Sequence, residues 1–248
     1  VGLNYGSITN AYATGDVSTS SSSYSSYAGG LVGVNTGSGN IENAYATGDV
    51  SASSSSSSSS NAYAGGLVGL NYGSITDAYW NTETSGQANA VGLNNGTDTA
   101  TGLTTEQMKK MSYFSGFDID DQGGTGTVWR IYEGDTNPLL RSFLTEVDLS
   151  AVNTTYNGEN QTLAQVAGVD STKLLGGNTL DHRDAGTYSS NYYSNQQGYD
   201  LIGDSATLTI KKAAATVTAN SDSTTYNGQS QSVTGFSATG LVNGETES

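Results

Sequence analysis

The first third of the chain consists of short apolar clusters separated by Gly, Asn, Ser and Asp. Clusters such as VGLN, SIT and AYA are only three or four residues long, and each is followed by residues that favour tight turns. Short apolar segments between turn-forming residues predict strands, and no segment of this region has the length or period of a helix. An all-β architecture is therefore expected here.

The clusters belong to a repeat. It reads VGLNYGSITNAYATGDV at 1–17, VGVNTGSGNIENAYATGDV at 32–50 and VGLNYGSITDAYWN at 68–81. Copy two carries two extra residues before Ile41, and its serine-rich segment, 51–63, is longer than the corresponding 18–27. Constant cores joined by segments of variable length are typical of a solenoid, in which each coil stacks on the next.

Stacking would place like residues over like, because one coil cannot bury its own apolar face. The expected columns are Leu31 over Leu67, then Tyr12, Tyr45 and Tyr79, and finally Asn4, Asn35 and Asn71. The asparagines have two interpretations: a ladder of hydrogen-bonded amides, or turn formers alone. The sequence leaves both open.

Two serine-rich segments, Ser20–Ser23 and Ser53–Ser60, carry no side chain that could bury apolar area. We expect them to be flexible loops extending from the solenoid. The alternative is O-glycosylation or ligand contact, with Tyr24, Tyr27 and Tyr63 as stacking platforms.

The repeat decays after Gln87. VGLNNGT at 91–97 resembles a partial coil, and LTTEQMKKM at 103–111 predicts a helix, with Thr104 and Gln107 forming a capping box. We expect residues 103–144 to cap the open end of the solenoid, since an exposed strand edge invites association. The apolar residues available for this cap are Phe114, Phe117, Val128, Trp129, Ile131, Leu139, Leu140 and Phe143.

A second repeat, TTYNG, occurs at 154–158 and 224–228. It predicts a small β module at 145–212 and a truncated second copy at 213–248, the latter poorly ordered in isolation because half a sandwich cannot close its core. Segments such as TLAQVAGV and ATLTIKK suit strands. DAGTY at 184–188 predicts a tyrosine corner in which Tyr188 hydrogen-bonds back to the chain. Since both ends fall within repeats, we expect a piece of a longer polypeptide.

Charge and composition exclude several function classes. The 248 residues carry a formal net charge of −15, and residues 1–105 contain no Lys or Arg. Binding to nucleic acid or to anionic lipid requires cationic surfaces, so neither partner is expected. With no Cys and one His, thiolate and multi-histidine metal sites are excluded, and no cofactor is expected. No apolar run approaches the roughly 18–20 residues that span a bilayer.

Catalytic and metal sites find little support. His182 lies in the polar LDHRDAG segment, and no GxSxG serine elbow accompanies it. Asp16 and Asp49 would be neighbours on successive coils, where two carboxylates could share a proton or a cation, but each also fits a solvated turn. The segment from Asp118 with Asp120 and Asp121 imitates a calcium loop, yet its twelfth position is Trp129 instead of a bidentate Glu. GGTGT at 123–127 lacks the Lys of a phosphate loop and is expected to be a turn.

Three sequons offer candidate glycosylation sites, at Asn95, Asn153 and Asn160. Such sequons also arise by chance in a chain rich in Asn and Thr.

GGLVGVNTGSGNIENAYATGDV resembles the GLUG repeat of large bacterial exoproteins. LTTEQM followed by GFDIDDQGGTGTVWRIYEGDTNPLLRSF is similar to the segment that closes such arrays in filamentous-haemagglutinin-like proteins, and the two TTYNG regions resemble MBG-type β modules. The resemblance implies a secreted or surface-anchored bacterial adhesin, associated with the outer membrane, with a role in attachment and virulence. It also implies export by two-partner secretion with an outer-membrane transporter. The family motifs are structural and transfer no binding residue.

The sequence thus predicts an all-β protein: a right-handed parallel β-solenoid at 1–102, a helix-containing cap at 103–144, then small immunoglobulin-like modules at 145–212 and 213–248. We expect an elongated adhesive stalk without catalysis, offering multivalent contact to an unidentified glycan or protein receptor. The alternative is a carbohydrate-active or glycan-binding solenoid. An ice-binding solenoid would need a regular Thr ladder, whereas only isolated threonines such as Thr14 and Thr47 recur.

Overall fold

A computed structural model describes residues 1–22, 24–55, 61–203 and 205–246. The chain divides into two compact units. Unit 1 comprises Val1–Thr145 and Asn195–Asp200, and unit 2 comprises Glu146–Ser194 and Leu201–Ser248. The finer boundaries expected at residues 102 and 212 stay predictions. Among the described residues no helix is long and apolar enough to cross a membrane.

Parallel strands form the first part of unit 1. They are β1 (Leu3–Asn4), β2 (Ser7–Ala13), β3 (Val17–Ser21), β4 (Ser26–Gly29), β5 (Val32–Asn35), β6 (Asn40–Ala46), β7 (Val50–Ser54), β8 (Ala62–Gly65), β9 (Val68–Asn71), β10 (Ser74–Asn81), β11 (Val91–Asn94), β12 (Thr97–Asp98) and β13 (Thr101–Leu103). Their sheets run β1-β5-β9-β11, β2-β6-β10-β12 with β13 also on β10, β3-β7, and β4-β8. Each sheet therefore takes equivalent strands from successive repeats, which we call coils.

The predicted columns of like residues are confirmed. Tyr12 pairs with Tyr45, which pairs with Tyr79, and Leu31 donates its N–H to the Leu67 carbonyl at 2.9 Å. The interior core of the stack is lined by small and branched apolar side chains: Leu31, Val32, Ile41, Ala44, Ala46, Leu67, Val68, Ile75, Ala78, Trp80, Ala90 and Val91. Close packing also explains a conspicuous glycine, because a Cβ at Gly66 would lie 2.2 Å from the Trp80 ring.

The asparagine column is a hydrogen-bonded ladder, and it also makes the turns. Each side-chain amide donates to the next along the stack, Asn4 to Asn35 at 2.8 Å and Asn35 to Asn71 at 2.8 Å, and the ladder continues to Asn94 at 2.9 Å. The Oδ1 atoms of Asn4 and Asn71 accept turn N–H groups as well, from glycines two residues on. Both interpretations of these residues therefore hold together.

The Ala-Tyr segment of each coil lies between the apolar core inside the stack and a second apolar cluster on its outer face. Side chains alternate along a strand, so Ala44 and Ala46 enter the interior of the stack while Tyr45 points to the outside. The residue before each segment adopts a left-handed conformation, with φ of 53° at Asn10, 51° at Asn43 and 45° at Asp77. Asn and Asp tolerate that conformation better than other L-residues, which accounts for their recurrence at this position.

The serine-rich segments were expected to be loops, and for Ser20, Ser21, Ser53 and Ser54 this is wrong. Ser20 and Ser21 belong to β3, Ser53 and Ser54 belong to β7, and these strands pair in parallel register. Backbone pairing needs no apolar side chain, and Val17 over Val50 anchors the pair in the stack. Ser23 and Ser56–Ser60 lie outside the described residues.

The cap differs from its prediction in two ways. The predicted helix at 103–111 is a strand end followed by two short 3-10 helices, Gln107–Lys109 and Met111–Tyr113, although the capping box forms: Thr104 N–H donates to the Gln107 side chain at 2.9 Å and Gln107 N–H donates to Thr104 at 3.2 Å. The apolar residues of the cap pack on the tyrosine column together with Leu103, the last residue of β13. Phe143, expected to be buried, is 56 % exposed. The remaining elements of this segment are β14 (Ile119–Asp120), β15 (Trp129–Arg130), β16 (Leu139–Leu140) and a 3-10 turn at Arg141–Phe143.

Unit 2 is also mainly β. Its elements, with two strands that begin in unit 1, are β17 (Thr145–Asp148), β18 (Val152–Thr155), β19 (Gln161–Thr162), α1 (Leu163–Ala167), a 3-10 turn at Ser171–Lys173, β20 (Asp181–His182), β21 (Gly186–Ser190), β22 (Tyr199–Ile202), β23 (Ala206–Lys211), β24 (Thr216–Ala219) and β25 (Phe236–Thr239). ATLTIKK forms β23 as predicted, between β18 and β21. TLAQVAGV was expected to be a strand and contains α1 instead, because Thr162 caps Gln165 N–H and Gly168 takes the left-handed cap with φ of 70°.

Candidate binding site

An aromatic junction joins the cap to the tyrosine column. The Tyr12 and Tyr45 rings stack with centroids 5.4 Å apart, and Phe114 meets the Tyr79 ring edge-to-face at 5.0 Å. Trp129 is fully buried at the centre, 5.9 Å from the Tyr45 ring, and its indole N–H donates to Asn10 at 3.3 Å. The junction fixes the cap segments against the three coils that carry Tyr12, Tyr45 and Tyr79.

The three column tyrosines use their hydroxyl groups differently. Tyr45 donates to the Pro138 carbonyl at 2.7 Å, and Tyr79 donates to the Ser115 carbonyl at 2.7 Å. The Tyr12 hydroxyl makes no hydrogen bond with any described residue. Burial raises the pKa of all three phenols, most strongly that of Tyr45, so each stays neutral at physiological pH.

A cleft of about 370 Å³ opens beside this junction. Five segments of unit 1 line it: the end of β2, the end of β6, the start of the cap, the loop before β16, and the short stretch that begins at Asn195. The lining residues are Tyr12, Thr14, Tyr45, Thr105, Lys109, Asp135, Thr136, Asn137, Leu139, Asn195 and Gln196. Its volume lies near the lower end of ligand pockets, about 300–1,000 Å³.

A buried ion cluster holds one flank of the cleft in place. Asp200 pairs with Arg141 and, at 3.3 Å, with Arg130, and all three side chains are at most 10 % exposed. Burial is the main cause that lowers the Arg130 pKa from its ordinary value, opposed by Tyr132 and Asp200. Gln196 exchanges two hydrogen bonds of 3.0 Å with the Leu140 backbone. These contacts fix residues 195–200 within unit 1.

The sequence-predicted carboxylate candidates are engaged locally. Asp16 accepts the N–H of Asp49 at 2.9 Å, which ties one coil to the next. Asp118 and Asp120 accept backbone N–H groups of Val128 and Gln122. The described residues contain no cluster of three metal-binding side chains.

The other candidates lie far apart in the chain. His182 belongs to β20 and stacks on the Tyr188 ring at 3.6 Å, while the Tyr188 hydroxyl donates to the Asp184 carbonyl at 3.0 Å, as predicted for the tyrosine corner. The sequon residues Asn95, Asn153 and Asn160 are all exposed, and their glycosylation stays a prediction. GGTGT contains a turn at Gly123 and Gly124, as predicted, and the Gly124 N–H donates to Asp200.

Comparison with known proteins gives one match, at the coils. The GLUG motif matches residues 24–51. The GLUG match begins just before β4 and ends at the start of β7, so it covers one coil. Strands β5 and β6 of this coil pair in parallel with strands of the coil before it and of the coil after it. No curated protein and no solved structure matches the chain.

Sequence reasoning missed the residues that form the cleft. Asp135 and Asn137 lie in a turn-rich loop, and Asn195 lies more than fifty residues further on, so no local pattern links them. The one available signal was the invariant tyrosine after alanine in each coil, whose outward direction follows from strand alternation.

Proposed function

We propose that this chain is part of a secreted or cell-surface bacterial adhesin in which the coils form a right-handed parallel solenoid and no reaction is catalysed. The observation that supports it best is the in-register stacking, because it places equivalent positions of successive coils on the same outer face. Repeated weak contacts of that kind give avidity without a deep pocket.

Two structural parts of this proposal go beyond the coils. Parallel strands joined by crossovers are right-handed in about 98 % of cases, which favours that hand here. The Tyr188 hydrogen bond and the recurring TTYNG segments favour immunoglobulin-like, MBG-type modules in the second half of the chain.

Localisation and partners follow from the sequence resemblance. A filamentous-haemagglutinin-like exoprotein would reach the surface through an outer-membrane transporter and attach to a glycan or protein receptor on host cells, surfaces or other bacteria. The absence of Lys and Arg from residues 1–105 suits this role, since these coils would not adhere to polyanions.

Exposed tyrosines are the contact groups we assign to this surface. Tyr5 and Tyr72 occupy the same corner of the first and third coils and are 68 % and 51 % exposed, and Tyr24 is 80 % exposed. Tyrosine combines a large apolar ring with a hydroxyl and is enriched in protein interfaces.

The test uses beads coated with the chain and measures their retention on epithelial cells under flow. Replacing Tyr5, Tyr72 and Tyr24 together by Ser should lower retention at least tenfold, because losses multiply in multivalent binding. Tyr226→Ser is the matched control, since Tyr226 is 86 % exposed but lies in unit 2. Equal retention of the triple variant and the control would contradict the proposal.

A carbohydrate-active solenoid is the second candidate, and the cleft beside the aromatic junction favours it. Incubating the full chain with plant and bacterial polysaccharides separates the two. Release of reducing or unsaturated ends would establish catalysis and remove the purely adhesive account, whereas unchanged polymers would leave adhesion.

A further inference from the structure

The cleft beside the aromatic junction contains polar groups that the fold itself does not use. Within the described part of the chain, the Tyr12 hydroxyl, the Asp135 carboxylate and the side-chain amides of Asn137 and Asn195 make no hydrogen bond. The equivalents of Tyr12 on the next coils both donate to cap carbonyls. The cap therefore leaves one of three equivalent hydroxyls without a hydrogen bond to the described residues, and that hydroxyl belongs to Tyr12, which lines the cleft.

From this arrangement we infer that the cleft binds one or two rings of a neutral saccharide. This deepens the adhesive proposal, on which its biological meaning rests, by naming the chemical class of a receptor group. The inference concerns a single cleft in unit 1 and is separate from the exposed corner tyrosines.

The charges in the cleft select against other ligand classes. Within the described part of the chain, the ionisable side chains that line the cleft, apart from the neutral phenols, are Lys109 and Asp135, and their charges balance one another. Lys109 is also within 3.7 Å of Glu106, which weakens its attraction for anions. A phosphate or a nucleotide needs an excess of cationic donors, which the cleft lacks.

The polar groups match what a sugar offers. Sugar hydroxyls both donate and accept, and the lining supplies an acceptor carboxylate at Asp135, amides with both functions at Asn137 and Asn195, and a phenol at Tyr12. The half-buried Tyr12 ring adds an apolar surface for the C–H face of a pyranose. Because Tyr12 stacks on Tyr45 and Tyr45 is held by Pro138, the ring is oriented before any ligand arrives.

The experiment titrates the full chain with cellobiose, lactose and N,N′-diacetylchitobiose, using ligand-observed NMR to detect contact and calorimetry to measure Kd. Glucose 6-phosphate and ATP are the anionic comparison. At least one neutral disaccharide should bind, and the two anions should bind more weakly or not at all.

Variants then locate the site. Tyr12→Phe keeps the ring and removes the hydroxyl, and it should raise Kd about five- to tenfold, the value of one hydrogen bond. Asn137→Ala, at a half-buried position whose side chain makes no hydrogen bond with the described residues, should have a similar effect and decides the question if Tyr12→Phe fails to fold. Tyr226→Phe is the matched control, because Tyr226 is exposed and lies in unit 2, and its Kd should change less than twofold.

Three results would overturn the inference: no binding of any neutral disaccharide, tighter binding of an anion, or a Kd that neither Tyr12→Phe nor Asn137→Ala alters. These results are distinguishable from failure of the adhesive proposal. Beads that adhere while the disaccharides do not bind would remove only the cleft assignment, and the reverse pattern would remove only the adhesive surface of exposed tyrosines.

Discussion

The coils and the last segment of the chain have similar Gly-, Asn-, Ser- and Thr-rich sequences, yet they reach different states of burial. In the coils, the side chains of Val32, Ile41 and Val68 are fully buried. In the last segment, β24 and β25 pair with each other, but every residue of β24 is exposed and Val217 is 64 % exposed. The difference is repetition: a coil has a copy of itself to cover its apolar face, whereas β24 pairs with β25 alone among the described residues.

Composition alone therefore does not decide whether such a chain folds. Low charge and many serines ordinarily indicate disorder. In the coils the missing apolar area is offset by in-register partners, which satisfy backbone groups and side-chain amides together. Substitutions should therefore cost most where columns meet the cap and least in the last segment.

Trp129→Ala should have the largest effect. It empties the centre of the aromatic junction and should lower the free energy of unfolding of unit 1 by about 3–5 kcal/mol. Fluorescence of the remaining Trp80 during urea unfolding follows unit 1, since both tryptophans lie in it. A loss below about 1 kcal/mol would show that the junction does not stabilise the coils.

Asn35→Ala should cost about 2–4 kcal/mol, because it leaves the amide of Asn4 and the Oδ1 of Asn71 without their ladder partners in a buried column. Asn95→Ala, in an exposed turn, is the matched control and should change stability by less than about 0.5 kcal/mol. Similar unfolding midpoints for the two variants would mean that the ladder contributes no stability.

Tyr45→Phe should cost about 1 kcal/mol at pH 7 through the lost hydrogen bond to Pro138. Its larger signature is in pH dependence. Burial raises the Tyr45 pKa in the folded state, so above pH about 10 the unfolded phenol ionises while the folded one does not, and stability falls as pH rises. Urea unfolding between pH 8 and pH 11 should show a shallower fall for Tyr45→Phe than for Tyr226→Phe, whose phenol is 86 % exposed. Parallel curves would contradict the burial of Tyr45.

Val217→Ser should have the smallest effect. Its side chain is exposed, so the free energy of unfolding, followed by circular dichroism, should change by less than about 0.5 kcal/mol. A loss above about 1 kcal/mol would show that β24 buries this side chain, and the comparison with the coils would then fail.

The repeats made the columns predictable, since in-register stacking places equivalent positions of successive copies over one another. Leu31 over Leu67, the tyrosine column and the Tyr188 hydrogen bond all follow from local patterns. What failed depends on packing between distant segments. Only the complete fold shows that the cap covers the outward tyrosines, or that Asp200 meets two arginines about sixty and seventy residues earlier.

Two local errors have local causes. The serine strands carry apolar side chains only at Val17, Val50 and Ala52, so hydrophobic patterning did not reveal them. In TLAQVAGV the alternation suggested a strand, but the N-cap Thr162 and the C-cap Gly168 outweigh it.

Disulfide trapping tests the in-register stack most directly, because the natural chain has no Cys. Thr9 lies opposite Glu42, and Glu42 lies opposite Thr76. Neighbouring strands lie about 4.8 Å apart, within disulfide range, whereas Thr9 and Thr76 are two rungs apart, about 9.6 Å, and beyond it. If successive coils stack in register, Thr9→Cys with Glu42→Cys should oxidise to an intramolecular disulfide under native conditions, and Thr9→Cys with Thr76→Cys should stay reduced. Oxidation of the second pair, or none of the first, would contradict the stacking of successive coils.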